Sequence, residues 1–461
     1  MKKKNALSIS LVILMLLCAV FVFASCSLDD YIKITEPARY IVGTSINEKG
    51  ELIIEYSNNT TENLGVVVGK DGKDGIDGID GVDGKDGVDG KDGKDGADGK
   101  DGSITVEGAS SQMLEKSVAS VLPSTVIIQS GYTDPSTQKK VYSSGAGVIY
   151  SCNKENGSAI IVTNYHVVYS SDATTSNKIS DDINVYLYGT ISESTVMTAS
   201  YIGGSLNYDL AVLEIKNSKV IKNSDVKSVE FKDSSLVHVG ETAFAVGNPN
   251  ADGFSVTSGI VSVDSEYIDI TVADDATEVS MRVMRVDTPV NPGNSGGGLF
   301  DINGKLIGIV NAKYADQKTD NIGYAIPSST VVAIVENLLD NCYGTENESL
   351  KRALLGVKVQ VQNPHAQYNP ETGYVELYED PTVVEITSYS SIAYGKLMIG
   401  DIIRKVEIVE SGLSFNVTRQ YHLLDSLLYA RVGDTVLVTV ERGGELITVY
   451  MTITSSCISE S

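Results

Sequence analysis

Between Gly69 and Gly102 every third residue is glycine, and from Asp71 to Asp101 each residue before the next glycine is aspartate. Such a segment carries too little apolar surface to offset the entropy of ordering a core of its own. Two conformations stay open for it. Glycine at every third position is what the crowded axis of a triple helix of polyproline-II chains requires, so the segment can be a three-chain stalk. The middle residues are Lys, Ile, Val or Ala and never proline, so Lys/Asp pairing between chains has to hold that stalk. The other reading is a flexible acidic linker. A stalk reaches roughly 100 Å at about 3.1 Å per residue, and a coil about 30–35 Å on average. In both cases the folded parts lie before and after the repeat.

The N-terminus reads as an address. Lys2, Lys3 and Lys4 precede an apolar run from Leu11 to Ala24, as in an export signal. Counted from Ala6 the run is about 19 residues, enough to cross a bilayer. Phe23-Ala24-Ser25-Cys26 resembles the bacterial lipobox, with Phe23 in place of the usual Leu. The resemblance implies lipidation at Cys26 and a membrane anchor; an uncleaved anchor and ordinary cleavage are the alternatives. All three put the rest of the chain outside the cytoplasm. Residues 1–25 are therefore read as a signal peptide. Residues 26–68 form a short β stub with one strand at Glu51–Tyr56, and 69–102 are the collagen-like repeat.

The formal net charge is -24, which argues against a nucleic-acid partner, since phosphates need a basic face. The five cysteines form no C-x-x-C pair, so neither a metal site nor a redox motif is expected, and no essential disulfide. From Gln112 onward short apolar runs alternate with Gly, Asn, Asp and Ser. Examples are Thr125–Gln129, Gly147–Tyr150, Ala159–Val162, Ile183–Leu187 and Leu210–Leu213. This spacing predicts an all-β barrel or sandwich. Ser328–Cys342 reads as a helix capped by Ser328 or Ser329, with Val331, Val335 and Leu338 on its apolar stripe. A last β-rich domain has strands near Val357–Val361, Val383–Ile386, Val436–Val440 and Thr448–Ile453.

Three sites carry candidate chemistry. Ser295 lies in Asn291-Pro-Gly-Asn-Ser-Gly-Gly-Gly298, where glycines let backbone amides converge beside a hydroxyl. The amides of the Gly293-Asn294-Ser295 turn are the candidate oxyanion donors, with Gly293 and Ser295 the expected pair. His166, one of four histidines, follows an apolar strand, and Asp209 opens another. The order His, Asp, Ser is that of a chymotrypsin-type triad.

Thr163-Asn-Tyr-His-Val, Asp209-Leu-Ala-Val-Leu and Gly293-Asn-Ser-Gly-Gly resemble the HtrA (DegP-like) serine proteases. So do Val246-Gly-Asn-Pro249, Thr257-Ser-Gly-Ile-Val-Ser262, Gly308-Ile-Val-Asn311 and Gly323-Tyr-Ala-Ile-Pro327. The resemblance covers about residues 112–345. It implies a chymotrypsin-like domain over 103–345 with two six-stranded β-barrels and the triad between them. His166 is then general base and acid, Asp209 its orienting group and Ser295 the nucleophile. Gly298 departs from the family, which usually has Pro there. Pro289, six residues before Ser295, is implied as the base of the specificity pocket, with Asn311, Ala312 and Lys313 as one wall. Small aliphatic residues are the implied preference.

Residues 350–455 resemble a PDZ domain through Leu355-Gly-Val357, Gly400-Asp-Ile-Ile403 and Gly433-Asp-Thr-Val436. Leu355, Gly356 and Val357 match the turn that receives a peptide carboxylate; Asn363–Glu379 is unusual for the family. The resemblance implies a homotrimer that degrades unfolded polypeptides, binds peptide C-termini and needs no cofactor. A collagen-like surface adhesin or holdase on a protease scaffold is the alternative.

Overall fold

The computed structural model describes residues 41–47, 49–56, 60–66, 106–134, 136–188, 194–248, 253–311, 322–370 and 372–460. The export segment with Cys26, the Gly69–Gly102 repeat, Ala312 and Lys313 lie outside the described residues. Before the repeat stands an antiparallel sheet of β1 (Ile41–Ile46), β2 (Glu51–Tyr56) and β3 (Thr61–Val66), in that order. Its middle strand has the bounds expected from the alternation in sequence.

After the repeat the chain enters a helix, α1 (Val106–Val121), where the sequence texture suggested strands from Gln112. Leu114, Val118 and Val121 recur at helical spacing and pack on the main core. Ser117 Oγ donates to the Ile302 carbonyl, tying the helix to the second barrel.

The first barrel uses β4 (Thr125–Thr133), β5 (Lys140–Asn153), β6 (Ser158–Thr163), a one-turn α2 (Tyr165–Val168), β7 (Asp182–Leu187), β8 (Met197–Thr198), β9 (Ser200–Ser205) and β10 (Leu210–Ile215). The sheet order is β8-β7-β4-β5-β6-β10-β9. Only Ala199 separates β8 from β9, and its N–H donates to Ile183 at 2.9 Å. The two segments act as one bent strand that pairs with both ends of the sheet. A short break of this kind lets a sheet turn the corner of a barrel, and counted so the barrel has the six strands implied by the resemblance. Ile128, Ile149, Ile161 and Leu213 fill it and are fully buried.

The second barrel closes in the order β11-β12-β13-β16-β15-β14. Its strands are β11 (Thr242–Gly247), β12 (Ser255–Thr271), β13 (Glu278–Val286), β14 (Gly298–Asp301), β15 (Leu306–Val310) and β16 (Gly323–Pro327). Helix α3 (Ser328–Cys342) follows and buries Val331, Val335 and Leu338 as expected. The serine cap expected for it is absent: Pro327 is the N-cap residue and no side chain caps the helix. The two hydroxyls are engaged elsewhere. Ser328 Oγ donates to the Lys232 carbonyl, and Ser329 Oγ bonds Ser234 and Asp425.

The C-terminal part holds β17 (Lys351–Ala353), β18 (Val357–Asn369), β19 (Tyr374–Ile386), β20 (Ile402–Ile408), β21 (Leu413–Asn416), α4 (Gln420–Ser426), β22 (Thr435–Arg442), β23 (Glu445–Thr452) and β24 (Ile458–Glu460). One sheet runs β18-β19-β20-β22-β23, with β21 on β20, and β17 pairs with β24. The segment Asn363–Glu379 forms the far half of the long β18–β19 hairpin. It reaches the second barrel, where the rings of Tyr374 and His238 stack with centroids 3.7 Å apart.

Candidate active site

Asp209 ends a tight turn just before β10. Its φ is +50°, a left-handed conformation that Asp and Asn adopt at less cost than most residues. The Asp209 carbonyl accepts from Tyr165 N–H at 3.1 Å and from Asn164 Nδ2 at 2.9 Å. Those bonds fix the start of α2, which carries His166. The carboxylate is fully buried. Its Oδ1 accepts the His166 backbone N–H at 2.9 Å, and its Oδ2 meets His166 Nδ1 at 2.7 Å. A carboxylate at that distance only accepts, so the proton sits on Nδ1 and Nε2 keeps its lone pair.

Ser295 belongs to the second barrel, in the turn before β14, and is 5% exposed. Its carbonyl accepts from Ala146 N–H of the first barrel at 2.9 Å. Gly296, with φ +81°, lies so close to that barrel that an added Cβ would stand 2.2 Å from the Ala146 carbonyl oxygen and 2.3 Å from Thr163 Oγ1. Only glycine lets the serine turn rest on the segment Thr163-Asn164 that leads to His166. The sequence motifs thus meet: the serine turn of one barrel lies against the histidine segment of the other.

The amides of the turn have different fates. Asn294 N–H donates to the Asn291 carbonyl at 2.9 Å and is not free for a ligand. Gly293 and Ser295 N–H donate to no acceptor among the described residues. The Gly293 carbonyl is held by Asn248 N–H at 3.1 Å, and Gly293 itself has φ +99°.

The pocket residues are placed less simply. Pro289 is exposed, and its carbonyl accepts from Thr257 Oγ1 at 2.8 Å. Val290 and Val286 face Gly323, and their Cγ2 atoms would be 2.6 and 3.1 Å from a Cβ at that glycine. Asn311 is fully buried, and its Nδ2 donates to Asp209 Oδ2 at 2.8 Å. Neither that contact nor the Asn164 bond was legible in the motifs, because each depends on the two-barrel packing. In the C-terminal sheet, Gly356 has φ +78° and its carbonyl accepts from Thr387 N–H and Oγ1 at 2.9 and 3.0 Å. The N–H groups of Leu355 and Gly356 have no acceptor among the described residues, and Val357 begins the edge strand β18.

The paired barrels are those of the trypsin-like peptidase fold, and the trypsin-like peptidase domain family matches residues 145–309. The chain is 34% identical over 316 residues to the serine protease Do-like HtrA of Bacillus subtilis, covering 66% of this chain and 62% of that one. It is 32% identical to HtrB of the same organism, over 63% of that protein. The chain thus spans just under two thirds of the length of these two relatives. To the Do-like HtrA of Lactococcus lactis subsp. cremoris it is 30% identical, over 71% of this chain and 74% of the relative. A solved HtrA-type protease, AlgW with a decapeptide, superposes with a TM-score of 0.47 at 22% identity, over 74% of this chain and 98% of that one. The chain belongs to the Do-like HtrA serine protease family.

Proposed function

We propose that the protein is an exported serine endopeptidase that cleaves unfolded polypeptides through an acyl-enzyme. The observation that carries this reading is the His166–Asp209 pair seated against the Ser295 turn. His166 Nε2 takes the Ser295 hydroxyl proton as Oγ attacks the scissile carbonyl. It then gives that proton to the leaving amine, and water repeats the sequence to release the acyl group. Asp209 stabilises the imidazolium and holds its tautomer. The free Gly293 and Ser295 amides are the donors for the oxyanion. Thr288, Pro289 and Val290 supply no acid to the pocket region, which supports cleavage after small apolar residues. The test is digestion of unfolded casein by the full chain, read by mass spectrometry. Fragments ending in Val, Ala or Ile are expected from the wild type and none from Ser295→Ala. Equal digestion by Ser295→Ala refutes the triad, and cleavage mainly after Lys or Arg refutes the pocket assignment.

The C-terminal sheet is read as a PDZ domain that binds free peptide C-termini. The unengaged Leu355 and Gly356 amides support a carboxylate site there, and the open edge of β18 supports addition of the peptide as a strand. A peptide with an apolar last residue should lose roughly ten-fold in affinity when its carboxylate is amidated, since the charge-assisted bonds go with it. Fluorescence anisotropy reads this directly. Equal affinity for the two forms counts against the assignment.

A further inference from the structure

A cavity of about 850 Å³ lies between the far half of the β18–β19 hairpin, β21, α4 and the second barrel. Every residue from Tyr374 to Tyr378 and from Ser414 to Asn416 lines it. Side chains alternate faces along a strand, so consecutive residues line one space where the strand presents its edge. The register shows how two edges come to face it. β22 covers one edge of β20 over Ile402–Ile408. On the other edge β19 pairs only at Thr382 with Ile402, and β21 takes over from Lys405 to Ile408. Both are antiparallel to β20, so β19 and β21 run parallel to each other.

Just past β21 the two meet, where Glu379 N–H donates to the Thr418 carbonyl at 2.8 Å. From there back to Tyr374, β19 reaches for the second barrel and the Tyr374–His238 stack. Over Tyr374 to Tyr378 it pairs only with β18, and β21 pairs only with β20, among the described residues. The cavity is thus a gap between two unpaired edges of one sheet, and unpaired edges are templates for another strand. Leu236, Val239, Val375 and Leu377 line it and are 61%, 62%, 62% and 47% exposed, an apolar surface of the kind that marks a binding site. Lys232 and Arg419 at the gap are paired, with Glu241 and Asp264. Asp233 and Glu376 also line it and form no ion pair with Lys or Arg among the described residues. Hydrogen bonds from Tyr378 and Asn369 hold Glu376 below the usual carboxylate range. The charge left over in the gap is negative.

We propose that this gap is a second polypeptide-binding site, in which an internal segment of a basic, apolar chain enters as a strand between β19 and β21. Its apolar side chains rest on Leu236, Val239 and Leu377, and its Lys or Arg side chains lie beside Asp233 and Glu376. The contacts are to backbone and side chains, so no chain end is needed. That sets the site apart from the carboxylate turn at Leu355 and Gly356, which adjoins the free edge of β18 on the opposite side of the hairpin. As a hold on unfolded substrate the site rests on the protease reading; binding of the segment does not.

The test uses the full chain carrying Ser295→Ala, so that no peptide is cut. The probe is Lys-Val-Lys-Val-Lys-Val with fluorescein on its N-terminus and an amide at its C-terminus, followed by fluorescence anisotropy. Saturable binding is expected, weaker by about ten-fold or more for the matching Glu-Val-Glu-Val-Glu-Val amide. Glu376→Lys should reverse that preference. Leu236→Asn should weaken both peptides by about three- to ten-fold, since the barrel wall loses an apolar contact. Both positions are on the surface of the gap, and a thermal melt confirms that each variant is folded. N-methylation of an interior valine removes one backbone donor and should cost about two- to ten-fold. A saturating free-acid peptide with an apolar last residue should leave the probe bound. The inference is overturned by absent binding, by displacement with the free-acid peptide, or by an affinity that ignores Glu376→Lys and Leu236→Asn. Indifference to N-methylation overturns it too, because a strand between two edges must use its amides. The measurement needs no turnover, so its failure is separate from failure of the protease reading, which casein digestion tests on its own.

Discussion

Asp209→Asn is expected to lower kcat/KM by about 10⁴-fold, the usual cost of losing the correct imidazole tautomer in such a triad. The geometry gives the reason. All three groups around the carboxylate are donors: the His166 backbone N–H, His166 Nδ1–H and Asn311 Nδ2. A carboxamide offers one acceptor and one donor, so one side must set donor against donor. The backbone N–H cannot move away and claims the amide oxygen. The amide nitrogen then faces the ring, which relieves the conflict by moving its proton from Nδ1 to Nε2. A neutral ring that carries its proton on Nε2 cannot accept the Ser295 proton there. The fold should survive, because φ of +50° suits Asn as well as Asp. Kinetics on one peptide substrate beside a thermal melt is the measurement. A loss smaller than ten-fold with an unchanged melt would remove Asp209 from its role.

The parts of this site that were readable beforehand share a physical cause. His166, Asp209 and Ser295 sit in short segments whose local chemistry is written in adjacent residues: a buried strand, a tight turn and glycines that admit close backbone approach. The strands were readable for the same reason, since apolar runs such as Leu210–Leu213 are buried at every position. What escaped the sequence depends on partners far along the chain. Helix α1 carries Gly108 and four serines, weak helix formers, and is held by its contact with the second barrel. The closing of the first barrel rests on a bend at Ala199 that no residue pattern announces. Asn311 and Asp209 are distant in sequence, and no propensity tells an asparagine to turn from a pocket toward a carboxylate. The serines before α3 look like caps, but tertiary partners compete for their hydroxyls and win.

The largest stability effect is expected at the junction of the peptidase barrels and the C-terminal sheet. Asp425 of α4 accepts from Arg282 Nη1 of β13 at 2.6 Å and from Thr330 Oγ1 at 3.2 Å. The Arg282 and Asp425 side chains are only 6% and 13% exposed. The guanidinium also lies 3.4 Å from the centre of the Tyr421 ring, and Arg419 pairs with Asp264 beside it. Asp425→Ala leaves Arg282 charged, buried and without its anion, which costs about 3–5 kcal/mol. The chain can relieve this by letting α4 leave the barrel so that water reaches Arg282. The expected result is a lower first melting transition and faster proteolytic cutting between residues 343 and 350. The double variant Arg282→Met/Asp425→Leu should regain most of the loss, because no unpaired charge remains. Protonation of His422 should loosen the same junction in acid, while Asp425, whose pKa burial raises, contributes in the opposite direction. Burial, helped by the Arg282 and Arg419 charges and opposed by Asp233, lowers the pKa of His422 to about 4. With an unfolded value near 6.5, the released state binds more protons between those two pH values, so stability rises with pH across that window. The contribution is complete above about pH 6.5 and lost as pH falls toward 4; by pH 5 the loss is about 2 kcal/mol. Denaturant melts at pH 7 and pH 5, with His422→Gln as the pH-insensitive reference, measure it. An Asp425→Ala protein within about 1 kcal/mol of wild type would show that the buried pair does not hold the junction, since breaking such a pair costs several times that.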